Sequence, residues 1–269
     1  MKIISNKAKL LKLIKDEKKI GFVPTMGAIH LGHLSLIDRS IKECKKTIVS
    51  IFINKYQFNK KNDYNKYPRV IKKDIHILKK ARVDYLYMPS ISEIYPNGRN
   101  KNIRISSFSK KLCGRFRPQH FESIVDVVDR FAKIIKPNRI YLGEKDMQQF
   151  KIIESFFISM GIKTKVIKCK TIREKNGIAF SSRNLLLNNS EKNIGSNIYK
   201  YILKNKNNII KKKLSLKAVK KKMLLFGATN VDYVEIYDIN KVTKPYKIRF
   251  NFKIFIAYYL RSTRMIDNI

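Results

Sequence analysis

Short apolar runs alternate along the chain with stretches of helical periodicity, and this alternation predicts the fold class. Residues 47–53 are almost continuously apolar, as in strands that are buried on both faces. Shorter apolar runs predict strands at 20–23, 84–88, 139–142 and 163–169. Strands that alternate with helices in this way indicate right-handed βαβ units and a parallel sheet.

Apolar residues spaced three and four apart predict the helices between these strands. One helix is expected from about His33, and others at 68–81, 123–135 and 145–160. Beyond residue 172 the pattern changes. A loop at 173–184 precedes a Lys/Asn-rich helical stretch to about residue 226, and two alternating strands follow at 231–239 and 247–260.

We therefore predict an α/β fold, a doubly wound parallel sheet (Rossmann-like) with a smaller C-terminal α+β domain. The Rossmann-like domain should span residues 1–171 and bind ligands, and the smaller domain should span 172–269 and act as a lid. Ligands of such sheets bind at the carboxyl ends of the strands. That rule brings residues 25–33, 54–58 and 143–146 to one rim.

The chain carries 59 Lys and Arg residues against 20 Asp and Glu residues, a formal net charge of +39. Such a charge can indicate a nucleic-acid or anionic-membrane partner. The lysines are spread along the chain among Ile and Asn residues, which favours a compositional bias without functional meaning. The sequence also shows no apolar run of the ~20 residues that span a membrane, no disulfide pattern and no cleavable leader. We expect a cytoplasmic protein without a membrane or specific nucleic-acid partner.

Two of the four histidines, His30 and His33, lie in the segment MGAIHLGH at 26–33. At a spacing of i, i+3 their imidazoles would share one helical face. Together with free backbone N–H groups at a helix N-terminus, they would suit a polyphosphate. The alternatives are capping or packing histidines, or a metal site. The metal site is the weaker alternative because His76 and His120 lie far off in sequence. Neither a Walker A motif nor G-x-G-x-x-G occurs.

Polar residues gather at four further points along the chain. Residues 143–146 (GEKD) follow a strand. Lys145 suits a phosphate there and Asp146 suits a ribose or Mg²⁺, but the same residues would also form an ordinary helix cap. The loop at 181–184 (SSRN) combines two hydroxyls with a guanidinium, which suits an oxyanion or a phosphate. The alternative is that the loop is only a turn. A basic aromatic loop, non-specific by itself, lies at 115–121. Residues 54–58 close a buried strand, and both ends of the Gln57 amide could bind a polar small molecule there.

Taken together and in this order, these segments resemble the pantothenate synthetase (pantoate–β-alanine ligase) family, part of the nucleotidyl-transferase group with an H-x-G-H signature. The matching stretches are VPTMGAIHLGH (23–33), VSIFINKYQF (49–58), YPR (67–69), EIYPNG (93–98), RPQHF (117–121), LGEKDMQQ (142–149), GIAFSSRN (177–184) and MIDN (265–268).

The resemblance implies a two-step ligation within coenzyme A biosynthesis. ATP and (R)-pantoate would give pantoyl-adenylate and pyrophosphate, and β-alanine would then give pantothenate and AMP. ATP would be a co-substrate with Mg²⁺, and the enzyme would be a homodimer. The resemblance by itself identifies no residue that binds the metal ion.

The resemblance also assigns roles to residues. His33 would be the proton donor, and His30 and Lys145 would share the catalytic role. Gln57 would contact pantoate and β-alanine, and Gln149 would contact pantoate. The ATP-binding residues would be Met26, Gly27, Ala28, Ile29, His30, Leu31, Gly32, His33, Gly143, Glu144, Lys145, Asp146, Ile172, Phe180, Ser181, Ser182 and Arg183.

Four positions depart from the pattern of the family. Lys55 stands where Pro is usual, Gln119 and Arg261 where Gly is usual, and Phe180 where Leu or Met is usual. None of these changes removes a catalytic group. The loss of proline beside Gln57 is expected to loosen the substrate loop, and together with the charge the departures predict a functional enzyme of lower stability.

Two other functions would fit parts of the sequence. Another H-x-G-H nucleotidylyltransferase would transfer AMP or CMP to a phosphate and stop there, so that AMP release would not depend on β-alanine. A basic nucleic-acid-binding protein would show a steep salt dependence of its affinity for unrelated DNA or RNA.

Overall fold

The computed structural model describes residues 1–269 and contains a six-stranded sheet in the order β1-β4-β3-β2-β5-β6. Every neighbouring pair in this sheet is parallel, which confirms the predicted sheet type. The strands are β1 (Lys2–Ile4), β2 (Ile20–Thr25), β3 (Lys46–Ile51), β4 (Tyr85–Tyr87), β5 (Arg139–Gly143) and β6 (Lys165–Cys169).

Helices connect these strands and cover the sheet. Five of them are longer than one or two turns: α1 (Lys7–Ile14), α2 (Leu31–Glu43), α4 (Ile71–Lys80), α7 (His120–Ile135) and α8 (Met147–Ser159). The short helices are α3 (Lys61–Lys66), α5 (Ile91–Ile94) and α6 (Cys113–Phe116), and 3₁₀ turns cover Lys55–Gln57, Ser107–Lys110, Glu144–Asp146 and Ser182–Leu186. Helix α7 is almost wholly buried, since both its apolar stripe and its flanks lie in the largest core cluster.

A separate three-stranded antiparallel sheet follows, with the order β7-β8-β9. Its strands are β7 (Asn230–Asp238), β8 (Phe252–Leu260) and β9 (Thr263–Asn268), and helices α9 (Asn189–Ile210) and α10 (Leu216–Leu225) precede them. One face of this sheet contributes Tyr233, Phe255 and Ala257 to the core that underlies the parallel sheet. The division at 171/172 remains a proposal, because this core continues across it.

Several elements differ from the expectation, among them helix α1 (Lys7–Ile14), which was not predicted, and strand β8, which begins at Phe252 and not at residue 247. Strand β1 was not predicted because its three residues alternate too briefly to show a period. Strand β9 was not predicted because its last residues, Asp267 and Asn268, are polar yet buried. The Lys/Asn-rich stretch forms two helices rather than one, since a turn that includes Lys212 in a left-handed conformation (φ 59°) separates them.

The strand order fixes where a ligand can bind. Strand β2 lies between β3 and β5, and the chain continues from β2 to one side of the sheet and from β5 to the other. A crevice opens at such a switch point beyond the carboxyl ends of the two strands. The histidine segment leaves β2 there and the Glu144–Asp146 turn leaves β5 there, so both predicted segments reach one crevice.

Candidate active site

A cavity of about 300 Å³ lies at this switch point, with the last residues of β2 and β5 in its wall. Most of the predicted site residues line it, from segments more than 150 residues apart in sequence. They are Met26, His30, Gly32, His33, Gln57, Gly143, Lys145, Asp146, Gln149, Ile172, Phe180, Ser181, Ser182 and Arg183. The histidine, lysine and serine–arginine segments therefore face the same space.

The other residues predicted to bind ATP, namely Gly27, Ala28, Ile29, Leu31 and Glu144, do not line the cavity. Leu31 is 55% exposed. The Glu144 carboxylate lies 3.3 Å from Lys253 Nζ and 3.6 Å from Lys168 Nζ. Its side chain thus serves contacts between β6 and β8, and its role toward ATP stays a prediction.

His30 and His33 lie side by side, but not on one helical face as expected. Helix α2 begins at Leu31, and His30 precedes it as the N-cap, with Nδ1 accepting a hydrogen bond from the His33 N–H at 3.4 Å. The two rings stack, with centroids 3.9 Å apart. Because Nδ1 of His30 is an acceptor, the ring proton of the neutral form resides on Nε2, which is free to donate into the cavity.

Both imidazoles are neutral at pH 7. Burial, assisted by the nearby Lys145 ammonium, lowers the pKa of His30 to about 4. Burial, and then the neighbouring His30 and Lys145, hold the pKa of His33 well below its usual value. Two charged rings could not stack this closely, so the pair presents N–H donors rather than cations. Lys145 supplies the positive charge beside them.

Asp74, in α4, holds the turn that leads into His30. Its buried carboxylate accepts hydrogen bonds from Ala28 N at 2.8 Å and Ile29 N at 2.7 Å. The Gly27 N–H donates to Thr25 Oγ1 at 3.1 Å. The expectation of free backbone N–H groups is therefore wrong for this turn, because these three already have partners.

The first turn of α2 still offers donors. The His33 N–H binds the His30 ring, whereas the N–H groups of Leu31 and Gly32 have no acceptor within the chain. A Cβ on Gly32 would lie 2.9 Å from the His30 ring. The glycine between the histidines is thus required by close packing of the ring over the backbone.

The turn that carries Lys145 is fixed by the end of the chain. Asn268 Nδ2 donates to the carbonyl oxygens of Glu144 and Lys145, at 2.8 Å each. The Lys145 ammonium lies 3.2 Å from the Asp146 carboxylate, and its side chain is 17% exposed. Asp267, beside Asn268, binds the Arg173 guanidinium through both oxygens. The terminal MIDN segment thus anchors the lysine turn.

The serine–arginine segment closes the opposite wall. Ser182 Oγ is within hydrogen-bonding distance of the carbonyl oxygens of Gly27 (3.4 Å) and Ala28 (3.3 Å). Arg183 pairs with Asp63 at 2.9 Å, and its guanidinium lies 5.9 Å from the centre of the Tyr67 ring. The segment therefore contacts both the histidine turn and the helix after the Gln57 loop.

The Gln57 loop is held firmly despite Lys55. Buried Asn54 accepts from Tyr56 N at 3.3 Å and donates to Ser123 O at 3.1 Å. The carbonyl oxygen of Gln57 accepts from Arg117 at 3.1 Å and lies 2.8 Å from His120 Nδ1. The loop is anchored at Asn54 and at the carbonyl oxygen of Gln57, so the expectation that it is loosened finds no support in these contacts.

Three guanidiniums gather at the end of the cavity near Gln57. Burial lowers the pKa of Arg117 to about 10, with further contributions from Arg183 and Arg264. Arg264 pairs with Asp232 at 2.8 Å, yet its Nη2 is buried without a partner. Arg183 and Arg264 have carboxylate partners, so the charge of Arg117 and the unpartnered Nη2 of Arg264 are what favour an anion at this end.

Sequence reasoning missed Asp74, Tyr67 and Arg264, and it regarded the basic loop that holds Arg117 as non-specific. A signal for Asp74 exists: with Ile71, Ile75 and Leu78 it occupies positions i, i+3, i+4 and i+7 of one apolar face. A carboxylate in such a stripe must be satisfied by buried donors. Arg264 carried no comparable signal.

The structure contains no group of three or more His, Cys, Asp or Glu side chains placed to hold a metal ion. Asp146 lines the cavity together with Asp63 and Asp267, but those two carboxylates pair with Arg183 and Arg173, whereas Asp146 is 43% exposed. Mg²⁺ in nucleotide enzymes usually keeps several waters and binds one or two carboxylates together with the phosphates. Asp146 suits that arrangement.

None of the helices is long and apolar enough to cross a membrane.

Comparison with known proteins decides the family. Residues 2–269 match the profile described as pantoate-beta-alanine ligase. The chain belongs to the pantoate–β-alanine ligase family. Among its curated relatives, pantothenate synthetase from Pseudothermotoga lettingae is 38% identical over 100% of this chain and 97% of that protein. The corresponding protein from Endomicrobium trichonymphae is 39% identical, with the same coverage.

Solved structures agree with this assignment to the pantoate–β-alanine ligases. Pantothenate synthetase from Thermus thermophilus superposes with a TM-score of 0.89 at 29% identity and covers 100% of this chain and 99% of its own. Pantoate-beta-alanine ligase from Francisella tularensis, solved with Beta-gamma ATP and Beta-alanine, gives a TM-score of 0.85 at 36% identity, with 100% and 97% coverage. The predicted enzyme class is confirmed.

Proposed function

We propose that this enzyme joins (R)-pantoate to β-alanine at the cavity between β2 and β5, in two successive steps at one site. A carboxylate oxygen of pantoate attacks the α-phosphorus of ATP, the bond to the bridging oxygen breaks, and pyrophosphate leaves. The β-alanine nitrogen then attacks the acyl carbon of the adenylate, the carbon–oxygen bond breaks, and AMP leaves as the nitrogen loses a proton. The convergence of His30, Lys145 and Gln57 on this one cavity carries the proposal.

Charge develops on the pyrophosphate as the first bond breaks. His30 and Gly32 line the cavity with a free Nε2–H and a free backbone N–H group, and Lys145 brings a full positive charge. Donors aimed in advance at developing charge are an effective source of catalysis. His33 is neutral and stacked on His30, so we propose that the proton-donor role is hydrogen-bond donation through a ring N–H, with no proton transferred.

The two acids bind at the other end of the cavity. Gln57 and Gln149 line it and offer amide groups to the hydroxyls and carboxylate of pantoate. Arg117 and the unpartnered Nη2 of Arg264 suit the carboxylate of β-alanine. Because no protein nucleophile is required, the residues act by orienting the reactants and by excluding water from the acyl-adenylate.

The finer assignments are also proposals. Mg²⁺ would enter with ATP, be held by Asp146 and neutralise phosphate charge. A homodimer is expected from the family, and light scattering would measure it. The three cysteines are free, which agrees with a reducing compartment such as the cytoplasm.

Product analysis tests the function. Incubation with ATP, Mg²⁺, pantoate and β-alanine should give pantothenate, AMP and pyrophosphate in equal amounts, and without β-alanine the enzyme should still exchange pyrophosphate with ATP when pantoate is present. AMP release that is indifferent to β-alanine would favour a nucleotidylyltransferase instead.

A further inference from the structure

Asp74 is a buried carboxylate outside the substrate cavity whose two oxygens both bind the histidine turn. Its side chain has 0% of its surface exposed, and it does not line the cavity. Oδ2 accepts from Ala28 N at 2.8 Å, and Oδ1 accepts from Ile29 N at 2.7 Å. Two such bonds to adjacent amides fix both the position and the rotation of the turn.

The turn needs this support because its backbone is strained. Gly27 has φ +81°, and Ala28, which has a Cβ, has φ +51°. A left-handed conformation is unfavourable for a non-glycine residue such as Ala28, so the turn would relax if nothing opposed it. A Cβ on Gly27 would also lie 3.0 Å from Asp74 Oδ2. On the other side, Ser182 Oγ faces the carbonyl oxygens of Gly27 and Ala28.

We propose that Asp74 is a positioning residue for adenylate formation: by holding the Ala28 and Ile29 amides, it sets the direction of the His30 imidazole and thereby of the stacked His33. This inference rests on the proposed roles of the two histidines. His30 follows the clamped residues directly and caps α2, so a shift of the turn moves its Nε2 in the cavity. Asp74 acts only through this backbone.

Asp74→Asn tests the proposal, because Asn keeps the shape but offers an N–H group to one of the two amides. We expect pantoate-dependent ATP–pyrophosphate exchange to fall about 100-fold, the scale of a 1 Å misplacement. The reaction of β-alanine with supplied pantoyl-adenylate should proceed close to the wild-type rate, since it does not use the triphosphate end of the cavity.

Asp84→Asn is the matched control. Asp84 accepts from Thr47 N at 2.9 Å at the opposite end of the sheet, so its loss should lower the melting temperature without changing the ratio of the two half-reactions. A double-mutant cycle adds a second readout: in a His30→Asn background, Asp74→Asn should cause little further loss of exchange.

Equal loss of both half-reactions in Asp74→Asn, or unchanged exchange at a lower melting temperature, would overturn the proposal and leave Asp74 a purely structural residue. If Asp74→Asn does not fold, Asp74→Glu provides the same two rates, since it keeps the charge but displaces it by one methylene. Absence of pantoate-dependent exchange in the wild-type enzyme would instead overturn the proposed function.

Discussion

The His30 ring accepts a hydrogen bond from the His33 backbone and stacks on the His33 ring, with 19° between the two planes. One histidine thus caps the helix on which the other lies. The cap assigns the His30 proton to the nitrogen that faces the cavity. The hydrogen bond that caps the helix therefore also orients the His30 ring in the site.

Gly32→Ala should reduce adenylate formation while the fold persists. The new Cβ would lie 2.9 Å from the His30 ring, which must swing away and leave both its stacked position and its cap. We expect exchange to fall about 10- to 100-fold, within the range of lost positioning. Exchange kinetics and circular dichroism would check this, and a folded variant with the wild-type rate would contradict the packing argument.

His30→Asn should separate the contribution of His30 to helix capping from its contributions to catalysis and to the pH dependence of stability. Asn is among the best N-caps, so stability at pH 7 should change little while exchange falls to a low but measurable rate. The pKa of His30 falls to about 4 on folding, from 6.5. Between these values the unfolded chain binds more protons than the folded one. The free energy of unfolding therefore rises with pH in this window, and the contribution of His30 is lost as the pH falls from 6.5 through 4.

The free energy of unfolding of the variant should therefore fall less steeply with decreasing pH than that of the wild type. Part of the pH dependence should remain, because burial also lowers the pKa values of His33 and His120. Urea unfolding at several pH values between 4 and 7 measures this. Identical slopes for the two proteins would show that His30 does not titrate on unfolding.

The sequence predicts the parallel sheet and most of the cavity because both follow from local rules. A buried parallel strand reads as a continuous apolar run, as in β3, and loops at strand ends meet at the switch point. Met26 to His33 and Gly143 to Asp146 could be paired on that basis alone, before any contact between them was known.

Long-range polar contacts could not be predicted in this way. Asn268 is buried because it serves the carbonyl oxygens of Glu144 and Lys145, 123 or more residues away, and its strand shows no alternation. Asp74 binds amides 45 residues before it. Periodicity reports which face is buried, but not which distant donor satisfies a buried carboxylate.

Lys145→Met should abolish most of the charge stabilisation in the first step. The side chain keeps its length and burial but loses the ammonium, and we expect exchange to fall about 100- to 1,000-fold. Lys168→Met is the control, because Lys168 pairs with Glu144 away from the cavity. A comparable loss in both variants would mean that overall charge, rather than Lys145, matters.

Lys55→Pro should be tolerated. Asn54 is extended before it (ψ 102°), Lys55 begins a 3₁₀ turn, and its N–H group donates no hydrogen bond. Proline at a compatible position stabilises by roughly 0.4–1 kcal/mol through the unfolded state. Urea unfolding should show this gain, and the KM for pantoate should stay unchanged because Arg117 and His120 already hold the loop. A lower KM for pantoate would indicate that Lys55 does loosen the loop, and destabilisation would show that this position does not accept proline.

Arg261→Gly should stabilise the protein. Arg261 has φ +49° in the turn between β8 and β9, where the family usually has glycine, and its side chain is 76% exposed with only a 3.6 Å ion pair to Glu191. Glycine removes the left-handed strain, so we expect a gain of about 1 kcal/mol in the free energy of unfolding. Arg261→Ala removes the ion pair but keeps the strain, and it should bring no gain. Equal gains from both variants would show that the effect comes from removing one positive charge from a chain that carries +39, and not from the backbone.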